Sequence, residues 1–190
     1  MFELLTGMGL AMPAGLNAYI PLLALGIADR YFGLINLAAP YDLIATPGGL
    51  AIITVLLIVE VIADKIPLVD HLNDLIASAI RPTSGAVVLM ASTDQVEFIN
   101  PIFSLMLGLT LAGAVHVIKM AVRPAVTATT GGVGNPIVSA AEDGLAIGAS
   151  IIALLAPVLV AFILLGLVIG VIWLLRYRRK RRYVAPPPPV

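Results

Sequence analysis

Glu60 and Asp64 stand four residues apart, so on a helix they share one face. They close a greasy run from Leu50 to Val59. Lys65-Ile66-Pro67 follows at once, and proline removes an amide donor and disfavours helix at the residue before it. His116, Lys119 and Arg123, spaced by three, four and seven, also fall on one helical face. A charge at the centre of a membrane helix costs roughly 2.5–3.5 kcal/mol on insertion scales, so those that remain face a partner or a cavity. Pairing of Glu60 and Asp64 with Lys119 and Arg123 is therefore expected.

Two chemistries are open to such groups. Arg81 and Arg123 each precede a proline that can sit in the first turn of a new helix. Helix N-termini present unpaired amides and a positive dipole end. Two such ends, each with an arginine fork, would suit a phosphate or carboxylate, with Lys119 and His116 adding to that balance. The paired carboxylates could instead carry a proton or cation. The plainer alternative is that the ions only hold helices in register.

Further candidates lie at breaks in the chain. Asn17 sits among Pro13, Gly15 and Pro21, where each proline frees a carbonyl that something must satisfy. That pattern fits either a kinked packing helix or a broken helix lining a polar cavity. Asn135 follows the glycines at 131, 132 and 134, and Pro136 can start a helix. Glu142 and Asp143 come early in that helix, where acids suit its dipole. The candidate ligand-binding set is Asn17, Glu60, Asp64, Lys65, Arg81, His116, Lys119, Arg123, Asn135, Glu142 and Asp143. No catalytic or metal-binding residue is assigned and no cofactor is expected. Cysteine is absent, and no Gly-x-Ser-x-Gly, His-Glu-x-x-His or phosphate-loop pattern occurs. His71 has Asp70 and Asp74 nearby, but adjacent Asp70 and His71 diverge on a helix. An enzyme within the membrane is the weakest alternative.

The elements that must position these groups are oily. Of 190 residues, 60% are hydrophobic and 12% charged, with a mean hydropathy of +1.06. A soluble domain usually carries about 25% charge, so lipid must cover part of this one. Four to six membrane segments are expected. The first runs from Leu4 to Ile27, after an opening Met-Phe-Glu that lacks the positive start of a signal peptide and reads as a retained helix. Asp29 to Gly49 reads as a loop and Leu50 to Asp64 as a short segment. Leu68 to Ile80 is amphipathic, with Asp70, Asn73 and Asp74 opposite the leucines. After a break at Arg81-Pro82, Gly85 to Ser92 would complete an interfacial helix, a re-entrant hairpin or one broken span. Pro101 to Val122 is a full span, ended by Arg123-Pro124. Leu145 to Leu175 is too long for one crossing and should divide near Pro157.

The formal net charge of zero is a balance of opposites. Six of the 11 bases lie between Arg176 and Arg182, leaving five bases against 11 acids in residues 1–175. Trp173 and Tyr177 suit an aromatic belt, and the basic run should be cytoplasmic by the positive-inside rule. Residues 1–175 are thus expected to be the membrane domain. Residues 176–190 are expected to be a disordered basic tail ending in Pro186 to Pro189. Ala79-Ile-Arg81-Pro82 is echoed by Ala121-Val-Arg123-Pro124, which an inverted internal repeat such as transporters use would produce, as would the chance likeness of two oily segments.

The strings Ala14-Gly-Leu-Asn-Ala-Tyr-Ile-Pro-Leu-Leu23, Glu60-x-x-x-Asp64-Lys-Ile-Pro-x-x-Asp70 and Arg81-Pro-x-x-Gly85-Ala86 resemble the domain-of-unknown-function-4126 family. Gly134-Asn135-Pro136 and Glu142-Asp143 fit the same pattern. The resemblance covers about 1–175. It implies a small bacterial multi-pass membrane protein without an established activity. The expectation is an all-α membrane bundle with broken or re-entrant helices in the inner membrane. Its expected role is transport or flipping of a small or lipid-linked anion, and the alternative is a non-catalytic scaffold. The expected partners are the lipid bilayer and an anionic lipid or small anion. Homo-oligomers are left open, and nucleic acid is not expected.

Overall fold

A computed structural model describes residues 1–182, apart from the side chains at 67–72, 74, 171, 174, 175 and 178–182. The polyproline end and the Asp70, His71 and Asp74 grouping lie outside the described residues, as do the side chains of Leu68 and Leu72. Among the described residues the chain is all-α. Its helices are α1 (Phe2–Ala14), α2 (Tyr19–Ile27), α3 (Pro47–Ala63), α4 (Pro67–Thr93), α5 (Pro101–Thr130), α6 (Asn135–Leu155) and α7 (Pro157–Arg182). A π turn at Ala28–Phe32 and a 3-10 turn at Tyr41–Ala45 shape the connection before α3.

Local chemistry explains most boundaries. Thr46 caps α3 by accepting from the Gly49 amide at 3.0 Å, and Asn100 caps α5 by accepting from the Ile102 amide at 2.8 Å. Prolines sit at the first positions of α3, α4, α5 and α6, where no amide is missed. Gly131 and Gly132, with φ of +61° and +88°, turn the chain from α5 to α6 in a conformation that side chains rarely adopt. The expected division at Pro157 is present, since α6 ends at Leu155 and α7 starts at Pro157. The expected first segment is broken, with Gly15 to Ala18 outside both helices.

Two expected breaks are absent. Pro82 lies inside α4 and Pro124 inside α5. Arg81-Pro82 and Arg123-Pro124 therefore mark no helix start, and residues 67–93 form one helix instead of a re-entrant hairpin. A proline inside a membrane helix is tolerated where hydroxyls and neighbouring helices support the backbone. The tail also differs from expectation, because α7 carries the basic run as far as Arg182.

Helix α1 is the centre of the bundle and packs on α4, α5, α6 and α7. Leu10, Ala11 and Ala14 are fully buried along it, with Leu25 of α2 and Val88 of α4 in the same core. The outer faces are apolar, with Ile52, Val55, Ile58 and Val59 exposed on α3 and Leu165, Val168 and Ile169 on α7. Leu75–Thr93, Pro101–Thr130 and Asn135–Leu155 are long and apolar enough to cross a membrane, and Pro47–Ala63 and Pro157–Gly170 are shorter apolar helices. Exposed oil of this extent assigns the bundle to a membrane.

Small residues bring α4 and α5 together. A side chain at Gly108 would meet the Gly85 carbonyl and the Ala86 backbone, neither of which can give way. Gly108→Ala should therefore lower stability by about 1–3 kcal/mol through overpacking, read as an earlier thermal unfolding in detergent. Gly148→Ala, where an added methyl meets nothing within 4 Å, should leave unfolding unchanged or slightly later.

Candidate functional site: a buried ion cluster at a helix break

The break between α1 and α2 has a direct cause. Pro21 lacks the amide a continuous helix would need, and its ring would clash with the carbonyl of Asn17. Gly15 lets the chain approach the Ala112 carbonyl of α5 without a side chain in the way. Asn17 then starts α2 by accepting from the Tyr19 and Ile20 amides at 3.1 and 3.2 Å. This leaves the carbonyl end of α1 and the amide end of α2 facing the core, fully buried at Asn17 and Ala18.

Charged side chains close both ends. The Ala18 amide donates to Glu60 Oε2 at 3.0 Å, so a carboxylate sits at the positive end of α2. Lys119 Nζ donates to the Leu16 carbonyl at 2.9 Å, so an ammonium sits at the negative end of α1. Ser84 of α4 donates to the Ala18 carbonyl and ties the break to that helix.

From these two anchors the network spreads. Arg81 is completely buried; its Nε donates to Glu60 Oε1 at 3.0 Å and its Nη2 to Asp64 Oδ2 at 3.1 Å. Asp64 Oδ2 also accepts from Lys119 Nζ at 2.8 Å and Arg123 Nη2 at 3.4 Å, while its Oδ1 accepts from Asn73 at 2.6 Å. Glu142 Oε2 accepts from Arg123 Nη2 at 2.7 Å and Lys119 Nζ at 3.1 Å. Asp143 accepts from Asn17 Nδ2 at 3.0 Å and Lys65 Nζ at 3.3 Å. Arg81 Nη1 lies 3.2 Å from His116 Nδ1, and Ser78 Oγ lies 3.0 Å from Nε2. Since a guanidinium can only donate, Nδ1 is the acceptor.

Glu60, Asp64, Glu142 and Asp143 thus face Lys65, Arg81, Lys119 and Arg123, a balanced set among the described residues. The expected pairing of Asp64 with Lys119 and Arg123 is present, whereas Glu60 pairs with Arg81. Glu142 and Asp143, expected early in this helix, lie two turns inside α6 and reach across to α5 and α3. Asn135 stands apart, with its Oδ1 accepting from Thr127 Oγ1 at 3.1 Å to close the α5–α6 turn. Sequence reasoning missed Asn73 and Ser78. Each is a polar residue on a helix read as amphipathic, and only the fold shows that it turns inward.

The chain belongs to the family described as Domain of unknown function (DUF4126), whose profile matches residues 4–177. No curated protein and no solved structure matches it. Membership therefore supplies no activity, and the site must be read from its own geometry.

Removing one member of a buried ion pair costs about 3–5 kcal/mol, because the partner is left uncompensated. Arg81→Met should cost this much, read by thermal unfolding in detergent. Arg81→Lys should rescue little, because a point ammonium cannot span Glu60, Asp64 and His116 together. Adding Glu60→Gln to Arg81→Met should recover part of the loss, since one orphaned carboxylate is then neutral. An Arg81→Met protein that unfolds no earlier than the parent would remove the cluster from any stabilising role.

Proposed function

We propose that this protein carries or flips a small or lipid-linked anion, a carboxylate or phosphate, across a bilayer. One observation supports this most. Glu142 Oε2 occupies a two-cation fork made by Arg123 Nη2 and Lys119 Nζ. It comes from α6, a helix that packs mainly on α1 and α2 and meets α5 little beyond these ions. A substrate carboxylate or phosphate presents the same oxygens to the same fork. Glu142 and Arg123 are also less buried than the Arg81 anchor, at 12% and 8% side-chain exposure against 0%.

The mechanism is then an exchange. Arg81, Glu60 and Asp64 form the fixed inner anchor at the helix break. Glu142 holds the place of the substrate in the resting state. An arriving anion takes the fork, and Glu142 turns outward with its helix. Interrupted helices whose ends face opposite charges are how many carriers hold substrate within the membrane. The orientation follows from the basic run at the end of α7, which favours a cytoplasmic C-terminus in a bacterial inner membrane.

A scaffold role is the second reading. It is favoured by the pairing of all four carboxylates within the cluster, which leaves the charge balanced. Two substitutions separate the readings. Glu142→Gln should free the fork and tighten phosphate binding by about tenfold, a gain of about 1.4 kcal/mol. Arg123→Gln should remove phosphate binding and anion flux in proteoliposomes while unfolding less readily than Arg81→Met. If neither variant changes anion binding and both only shift unfolding, the ions are structural and the scaffold reading stands.

A further inference from the structure

We infer that the anion is the phosphate headgroup of a lipid, and that its chain lies in an apolar groove beside the ion cluster. This rests on the carrier reading and names its substrate class. The groove has a volume of about 630 Å³ and runs between α1, α6 and α7. Along α6 it extends from Gly144 to Ile152, about 12 Å at 1.5 Å per residue. Among the described residues those lining it are all apolar, including Met12, Leu16 and Leu167.

The groove adjoins the cluster. Leu16 lines the groove, and its carbonyl accepts from Lys119 Nζ. Gly144 directly follows Glu142 and Asp143. A free anion would need only the fork. An apolar groove that adjoins the cluster through Leu16 and Gly144 fits a molecule that is oily at one end and anionic at the other. Helix α6 is long and apolar enough to cross a membrane, which would place this groove in hydrocarbon. A phosphodiester carries one negative charge, as Glu142 does, so the exchange keeps the cluster balanced.

The glycines of α6 give a second, independent reason. Gly144 and Gly148 lie within the helix and line the groove. A methyl built on either meets nothing within 4 Å, so helix packing does not require glycine there. Glycine inside a helix is disfavoured against alanine. What these positions provide is an open floor for a chain lying along α6.

The test compares the full-length parent protein with Gly148→Leu and Arg123→Gln. Retention of dioleoyl phosphatidylglycerol is followed by native mass spectrometry, with dioleoyl phosphatidylcholine as the uncharged-overall control. Inorganic phosphate binding is followed by the shift it gives in thermal unfolding. The parent should hold phosphatidylglycerol in preference to phosphatidylcholine. Gly148→Leu should lose about tenfold or more of that retention and keep its response to inorganic phosphate. Arg123→Gln should lose both. If Gly148→Leu does not fold, Ala149→Leu narrows the same groove. Undiminished phosphatidylglycerol retention in the groove variant, with phosphate binding intact, would overturn the inference and leave the carrier reading standing. Retention that ignores Arg123→Gln would mark ordinary lipid packing and overturn it too. A parent that binds neither phosphate nor phosphatidylglycerol would defeat both.

Discussion

Everything in this bundle depends on how the cut between α1 and α2 is neutralised. A helix interrupted at the level of the core exposes carbonyls on one side and amides on the other, and lipid can satisfy neither. Lys119 answers the first and Glu60 the second. Each of these charges then needs a counter-charge of its own, because neither can be left alone in a dry interior. Asp64 and Glu142 serve Lys119, and Arg81 serves Glu60. The extended network is thus the consequence of one broken helix, and α3, α4, α5 and α6 are drawn around α1 and α2 to supply it.

The two arginines that look alike in sequence have different surroundings. Arg81 is enclosed by Glu60, Asp64 and His116, with hydrogen bonds along its whole fork. Arg123 shares Asp64 with Lys119 but takes its shortest contact from Glu142, on a helix that otherwise belongs to the other side of the bundle. A repeated tetrapeptide has been put to two uses, one as an anchor and one as a contact between moving parts in the proposed exchange.

Much of the fold was legible because proline, glycine and oil are blunt signals. The all-α membrane class followed from composition and the division at Pro157 from length, while Pro13, Gly15 and Pro21 left a kink and a full interruption around Asn17 both open. The joint face of His116, Lys119 and Arg123 was legible from spacing. Arg81-Pro82 and Arg123-Pro124 misled because a local rule for the residue before proline is weaker than burial of the arginine beside it. Helix is retained there because the surrounding carboxylates fix where the guanidinium must go. The partners of Glu142 and Asp143 were hidden for another reason. They lie 19 residues from Arg123 and 78 from Lys65 along the chain, and no periodicity within one helix reports a contact of that kind.

The close approach at Gly85 and Gly108 has a further meaning for shape change. Backbone rests on backbone there, with no side chain between that could change rotamer and take up a shift. Helices α4 and α5 therefore behave as one rigid body, and Arg81, His116, Lys119 and Arg123 ride on it as a fixed constellation. Helix α6 meets that body through two left-handed glycines and a handful of ions, and packs mainly on α1 and α2. In the proposed exchange the molecule is a frame with one hinged wall.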